Sequence, residues 1–213
     1  MKHLVFLIFL LPTLGFSQYT ESEWAERDSW MPLENIFELA DIKEGMKVAD
    51  IGCHEGYLSI HLANVVGNKG HVYGVDVRAD RLDLLSKHLE ERKLNNVSVI
   101  LGDYDNPKLP ENTLDVAVIM DTYHEITDYM TMLAHVKTAL KPGGRIVIIE
   151  KQKLKVRDQS RKSQTDAHSM TVKYVRKELM SSGFKQLVQK SKMGFWEKDT
   201  EKVMWMIIAT KPE

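Results

Sequence analysis

The sequence predicts a doubly wound α/β domain, in which a mostly parallel sheet of seven strands carries helices on both faces and an antiparallel edge strand. Three observations carry that prediction. Strand-like and helix-like segments alternate from residue 46 to residue 184, the mark of βαβ units. "LDVAVIMD", residues 114–121, is a continuous apolar run, as expected of a strand covered on both faces. "VADIGCHEGYLSIHLA", residues 48–63, passes from a strand through a glycine-bracketed loop into an amphipathic segment.

Taken in order, "ESEWAERDSW" and "PLENIFELA" read as helical segments, the second with Pro32 at its first helical position. "MKVADI" is a strand, "YLSIHLANVV" a helix and "GHVYGVDV" a strand. "RADRLDLLSKHLEERKL" is a helix with Leu82, Leu85 and Leu89 on one face, followed by the strand "VSVILGD". After residues 114–121 comes the helix "DYMTMLAHVKTAL", stopped by "KPGG", and then the strand "GRIVIIEKQ". A polar stretch leads to the helix "TVKYVRKELMSSGF", capped by Thr171 and ended by Gly183. "KQLVQKS" and "EKVMWMIIATK" are two last strands, close enough in sequence to pair antiparallel at one edge.

Composition narrows the function. The chain has 213 residues, 43% of them hydrophobic and 28% charged, enough for one full-sized core. A net charge of −1 gives no global field directed at nucleic acid or an anionic membrane. A single cysteine, Cys53, excludes an intrachain disulfide framework. The start, "MKHLVFLIFLLPTLGFSQ", has Lys2, an apolar run from Leu4 to Leu11, a break at Pro12 and small residues Gly15 and Ser17. Residues 1–17 therefore read as a signal peptide, residues 18–44 as an N-terminal helical segment, and residues 45–213 as the main domain. Export to the periplasm or beyond is expected, with a cytoplasmic location as the alternative. No stable membrane insertion is expected once the signal is removed.

The loop after the first strand indicates a ligand. In such sheets ligands lie beyond the carboxyl ends of the strands, at the switch point beside the first strand. Gly52 and Gly56 let the backbone turn sharply there, and the following helix aims its N-terminal amides at the ligand. The spacing is neither G-x-G-x-x-G nor a lysine-bearing phosphate loop. Asp50, just ahead of the glycines, suits a ligand with a positive charge, such as an amino-acid ammonium group.

Together these motifs resemble the class I S-adenosylmethionine-dependent methyltransferases, in order from about Gly45 to the C-terminus. "DIGCHEG" is similar to the family's D-x-G-x-G-x-G, with His54 in place of the middle glycine and Cys53 beside it. Asp76 in "VYGVDV" matches the ribose-binding acid, and Asp103 in "LGDYD" the adenine-contacting acid. "MDTYHEI" stands where the family places residues that face donor and acceptor, and "LKPGGRIVI" matches its turn into the fifth strand. "ERDSWMP" and "DTYHEI" resemble a bacterial subgroup of small members. The resemblance implies a Rossmann-like fold and S-adenosyl-L-methionine as cofactor. It assigns Asp50, Gly52, Cys53, His54, Gly56, Asp76, Asp103 and Asp121 to cofactor binding.

The implied partner is a small-molecule methyl acceptor. Methyl transfer from a sulfonium needs donor and acceptor held in line and, for some acceptors, a proton removed. Tyr123, His124 and Glu125 are the candidates on the acceptor side, with His124 as general base because an unperturbed imidazole titrates near neutrality. His168 in "TDAHSM" is a second candidate base. No metal is expected, since none of these residues has the spacing of a helical metal motif. The run from Lys151 to Lys162, six basic residues against one acid, reads as a solvated loop, or as a lure for an anionic acceptor or a membrane surface. The early "ERDSW" segment reads as a lid, with Arg27 or Trp30 touching the donor, or equally as a helix packed on the sheet edge. The alternatives are a non-catalytic module that binds S-adenosylmethionine or another nucleoside, and, less favoured, a dehydrogenase.

Overall fold

The computed structural model describes residues 19–213, so the segment read as a signal peptide lies outside the described residues. Seven strands form one sheet in the order β3-β2-β1-β4-β5-β7-β6. They are β1 (Lys47–Ile51), β2 (His71–Asp76), β3 (Val97–Leu101), β4 (Leu114–Met120), β5 (Leu140–Lys153), β6 (Lys185–Phe195) and β7 (Lys202–Thr210). The first five are parallel. β7 runs antiparallel to both β5 and β6. The antiparallel strand is thus inserted one place in from the edge, and β6 is the edge strand itself.

The helices are α1 (Trp24–Asp28), α2 (Leu33–Leu39), α3 (Tyr57–Val66), α4 (Ala79–Glu91), α5 (Tyr129–Ala139), α6 (Arg161–Asp166) and α7 (Val172–Ser181). Alternate residues of the strands feed two apolar layers. Val48, Val72, Val118 and Val147 pack with α2 and α3 on one face. Ala49, Ala117, Ile148 and Ile207 pack with α5 and α7 on the other. Leu82, Leu85 and Leu89 bury one side of α4 against Cys53 and Ile60, as their spacing predicts. None of the helices among the described residues is long and apolar enough to cross a membrane.

Two local readings change. "KPGG" does not separate helix from strand, because pairing starts at Leu140↔Leu114 and resumes at Arg145↔Val116. The four residues bulge out of the ladder instead, with Gly143 at φ +74°. The polar stretch after β5 also holds order. It forms a 3-10 turn, Leu154–Val156, and then α6, whose N-terminus is capped when Ser160 Oγ accepts from the Ser163 N–H at 3.1 Å. Pro32 caps α2 rather than opening it.

β1 pairs with β2 on one side and β4 on the other. The crossovers leave in opposite directions at this point, which opens a crevice between the loops after β1 and β4.

Candidate active site

The loop after β1 is fastened to the end of β2. The Gly52 and Cys53 N–H groups donate to the Val75 carbonyl at 2.7 and 3.0 Å. The His54 N–H donates to Asp76 Oδ2 at 2.9 Å, and the Arg78 N–H to Asp76 Oδ1 at 3.0 Å. Each carboxylate oxygen keeps a lone pair for a ligand hydroxyl. Gly52 has φ +82°, and a Cβ there would lie 2.3 Å from the Thr122 side chain, so the loop needs glycine for both shape and space. Gly56 serves packing: its φ is +98° and a Cβ would lie 2.3 Å from Leu85 of α4. It is the left-handed residue ahead of α3 and does not line the cleft.

Two connected cavities meet at Gly52, Asp121 and Thr122. The outer one, about 290 Å³, runs past Asp76, Asp103 and Tyr104 on one side and Glu125 and His168 on the other. Asp103 is exposed there and pairs with Lys108 at 2.9 Å. The inner cavity is lined by Asp50, Cys53, His54, Arg27, Tyr19 and Tyr57 among others. Burial lifts the Asp50 carboxyl to about 7, against the opposing pull of the Ser59 hydroxyl and Arg27. Ser59 Oγ donates to it at 2.7 Å, and Asp50 has no ion-pair partner among the described residues. Burial, with Arg81 and Arg78 nearby, holds His54 down at about 4, so its ring is neutral at pH 7, and its Nδ1 is buried without a hydrogen-bond partner among the described residues. Burial also raises the Cys53 thiol well above its ordinary range, so Cys53 is an apolar wall residue and not a thiolate.

The acceptor side differs from the sequence reading in two residues. Tyr123 is fully buried among α5 and α7, and its hydroxyl donates to Glu178 Oε2 at 2.8 Å. It faces the core and plays no part in the cleft, because the 3-10 turn Tyr123–Glu125 points successive side chains in different directions. His124 is also buried, with Nδ1 2.9 Å from Glu150 Oε1. Its Nε2 lies 3.0 Å from Glu125 Oε1, close in charge but out of line for a hydrogen bond. Burial alone would disfavour the imidazolium, but the Glu150 carboxylate and then Glu125 overcome it and raise His124 to about 10. A residue that holds its proton at pH 7 is no general base there, so His124 is a buried cation that organises two acids.

Glu125 and His168 remain at the mouth. Glu125 is held down at about 2 by the adjoining His124, and its Oε1 lies 2.7 Å from His168 Nδ1. A proton on Nδ1 directed at the carboxylate leaves His168 Nε2 as an acceptor. Ligand atoms of His124, Glu125 and His168 lie within 4.8 Å of one another. A cation among them would have to displace the proton on His124, so this set of charges favours ion pairing. Asp121, at φ +54°, forms a buried ion pair with Lys151. The "KQKLKVRDQSRK" run is therefore not all solvated. Sequence reasoning missed Glu150 and read Lys151 as part of a basic run, not as a buried partner of Asp121; the signal was two charges closing the apolar strand "RIVII".

A family model for a methyltransferase domain matches residues 42–209. The chain belongs to this methyltransferase domain family. It is 34% identical over 117 residues to a demethylmenaquinone methyltransferase of Geobacillus sp. (strain WCH70), covering 55% of this chain and 50% of that protein. It is 32% identical over 110 residues to the protein of that name from Anoxybacillus flavithermus, covering 52% and 46%. The chain spans about half the length of the curated relatives it matches. Among solved structures, a SAM-dependent methyltransferase from Aquifex aeolicus superposes with a TM-score of 0.73 at 23% identity, covering 91% of this chain and 99% of that one. Haemonchus contortus phosphoethanolamine N-methyltransferase 2, in complex with S-adenosyl-L-methionine, gives 0.67 at 17%, covering 85% and 53%. At these identities the structures show the fold, which is the Rossmann-like one the motifs imply.

S-adenosylmethionine is the cofactor of this family, and the cleft fits it on its own evidence. A buried carboxylate with a raised pKa and no ion-pair partner among the described residues, Asp50, suits the ammonium group. Asp76 suits the ribose hydroxyls, and Gly52 keeps the passage between the two cavities clear.

Proposed function

We propose that this chain transfers a methyl group from S-adenosylmethionine to a small, largely apolar acceptor with an ionisable hydroxyl, of the quinol class. The observation that carries the reading is the Glu125–His168 pair, 2.7 Å apart at the mouth of a cleft whose other end suits the donor. Bound S-adenosylmethionine supplies an electrophilic methyl on a positively charged sulfur. Ile51, Val75, Ile126 and Met132 form an apolar wall that would hold a flat ring and exclude water. His168 Nε2 would take the acceptor's hydroxyl proton as the adjacent ring carbon bonds to the methyl and the methyl's bond to the sulfonium breaks. The hydrogen on that carbon then leaves as the oxygen is reprotonated and the ring regains aromaticity, while Glu125 keeps the imidazole oriented and steadies its charge. His124 and Glu150, locked beneath, fix Glu125 in turn. The demethylmenaquinone methyltransferases among the relatives support the quinol class.

The test is transfer of labelled methyl to a short-chain naphthoquinol unsubstituted at the ring carbon next to its hydroxyl. A methylated naphthoquinol is expected. Tight binding of S-adenosylhomocysteine with no transfer to any quinol, phenol, amine or thiol would favour the non-catalytic binding module. Export also belongs to the proposal: a chain expressed from Met1 in a bacterium should be recovered beginning at Gln18, outside the cytoplasm. Recovery from the cytosol still beginning at Met1 would refute it.

A further inference from the structure

Outside the cleft, three side chains meet on the outer side of α4. His88 and Glu91 stand three residues apart on one face of that helix, and Glu21 reaches them from the 3-10 turn Glu21–Glu23 ahead of α1. His88 is 5% exposed, and neither of its ring nitrogens has a hydrogen-bond partner among the described residues. A buried imidazole with both nitrogens unused is costly, and an ion bound to it is one physical reason for such an orphan. Its Nδ1 lies 3.4 Å from Glu21 Oε1 and 3.9 Å from Glu91 Oε2, and neither approach is made as a hydrogen bond.

The spacing fits a shared cation. Bonds of about 2.0–2.1 Å in a tetrahedral site set neighbouring ligand atoms about 3.4 Å apart, which is the separation of His88 and Glu21. All three ligand atoms lie within 4.8 Å of one another, and rotation of the exposed Glu91 side chain closes the longer gap. Both carboxylates face solvent, so an ion has a way in. Arg92 stands beside them, with Nη2 2.5 Å from Glu21 Oε1 and Nη1 3.8 Å from Glu91 Oε2, while Lys87 lies 3.8 Å from Glu91 Oε1. Arg92 thus bridges the two acids where a divalent ion would bridge them. Its guanidinium rests over the Trp24 ring at 5.6 Å and is partly exposed, so it can give way.

We propose that Glu21, His88 and Glu91 bind a divalent transition metal of the zinc class, with water completing its coordination. One imidazole and two carboxylates suit zinc better than magnesium, which takes oxygen ligands. The ion would clip the turn ahead of α1 onto α4, next to the place where the Glu21 N–H donates to Glu55 Oε2 at 3.2 Å. None of the three ligands lines the cleft, so the inference is independent of the methyl acceptor. A protonated His88 paired with the two glutamates is the competing use of the same geometry, and it predicts no metal site.

The experiment titrates Zn²⁺ into the full chain by calorimetry, in a buffer that does not coordinate the metal. A saturable site is expected, and an equal concentration of Mg²⁺ should not displace the ion. His88→Phe keeps a ring against Trp24, 5.2 Å away, and should remove the site. Glu91→Gln should weaken it by at least about tenfold, since even partners one shell further out contribute that much. Arg92→Gln takes away the competing charge and should tighten binding by about tenfold, an effect the ion-pair reading does not produce. If His88→Phe does not fold, Glu91→Gln and Arg92→Gln decide. No saturable Zn²⁺ binding, displacement by Mg²⁺, or affinity unchanged in Glu91→Gln would overturn the inference. So would a site that survives His88→Phe and disappears in His168→Ala, which would place the ion at the cleft mouth.

Discussion

The two walls of the cleft are built in different ways. The donor wall comes from consecutive strand ends, and its contacts are mostly backbone: Gly52 and Cys53 on Val75, His54 and Arg78 on Asp76. The acceptor wall is assembled from side chains far apart in the chain, Glu125 with His168 and His124 with Glu150. Backbone contacts depend on fold and glycine placement, so they leave short local motifs. Side-chain relays depend on which residues the fold brings together, and their charge states follow from partners no motif reveals.

His168→Ala should separate the two walls most sharply. We expect methyl transfer to a naphthoquinol to fall by about 10²–10⁴-fold, the usual contribution of a general base, with affinity for S-adenosylhomocysteine unchanged. Equal loss of both would merge the walls into one unit.

His124→Gln should act on stability. It leaves Glu150 buried without its cation, which calls for roughly 3–5 kcal/mol of destabilisation. The pH dependence has a definite sign. Because the folded pKa is raised from 6.5 to about 10, the stabilisation is complete below 6.5 and is lost as pH rises through 10. Melting curves of the unaltered protein should fall across that window, and those of the Gln variant should not. A variant as stable as the parent would contradict the buried-cation assignment.

Asp76 needs care, because it both fastens the loop and faces the cleft. Asp76→Ala would confuse the two roles. Asp76→Asn removes the charge, keeps an oxygen for one of the two N–H donors and turns its NH2 toward the other, and should weaken S-adenosylhomocysteine by about tenfold in a protein that still folds at a somewhat lower melting temperature. Unchanged affinity in the folded Asn variant would remove Asp76 from the donor wall.

The smallest effect is expected at Tyr123. Glu178 keeps Arg161 at 2.8 Å when the tyrosine hydroxyl is removed. Tyr123→Phe should therefore lose about 0.5–1.5 kcal/mol of stability and no turnover. A large loss of turnover would return Tyr123 to the cleft.

Legibility in the sequence follows the same division. The sheet, its helices and the loop "DIGCHEG" were readable because period, glycine and acid all lie within a few residues of one another. Asp76 stood out because it closes β2, and Asp103 because it follows the end of β3 by two residues. Tyr123 was misplaced because adjacent residues of a 3-10 turn point to different neighbours: it meets the core, while His124 and Glu125 line the cavity. The imidazolium at His124 was invisible, since Glu150 is 26 residues away. Arg27 stood in the segment read as a lid or a packed helix, but the aromatic rings around it come from Tyr19, Tyr57 and Trp196, and no local pattern joins those three.

The most direct test of the donor cleft is calorimetric titration with S-adenosylhomocysteine in two buffers of different ionisation enthalpy, at about pH 6 and again at about pH 8. With Asp50 raised to about 7, the carboxyl is mostly protonated at the lower pH and must ionise to meet the ligand's ammonium group. We expect binding at both values, with close to one proton released near pH 6 and almost none near pH 8. Absence of binding, or binding with no proton release at the lower pH, would contradict the assignment of this cleft and its buried acid to S-adenosylmethionine.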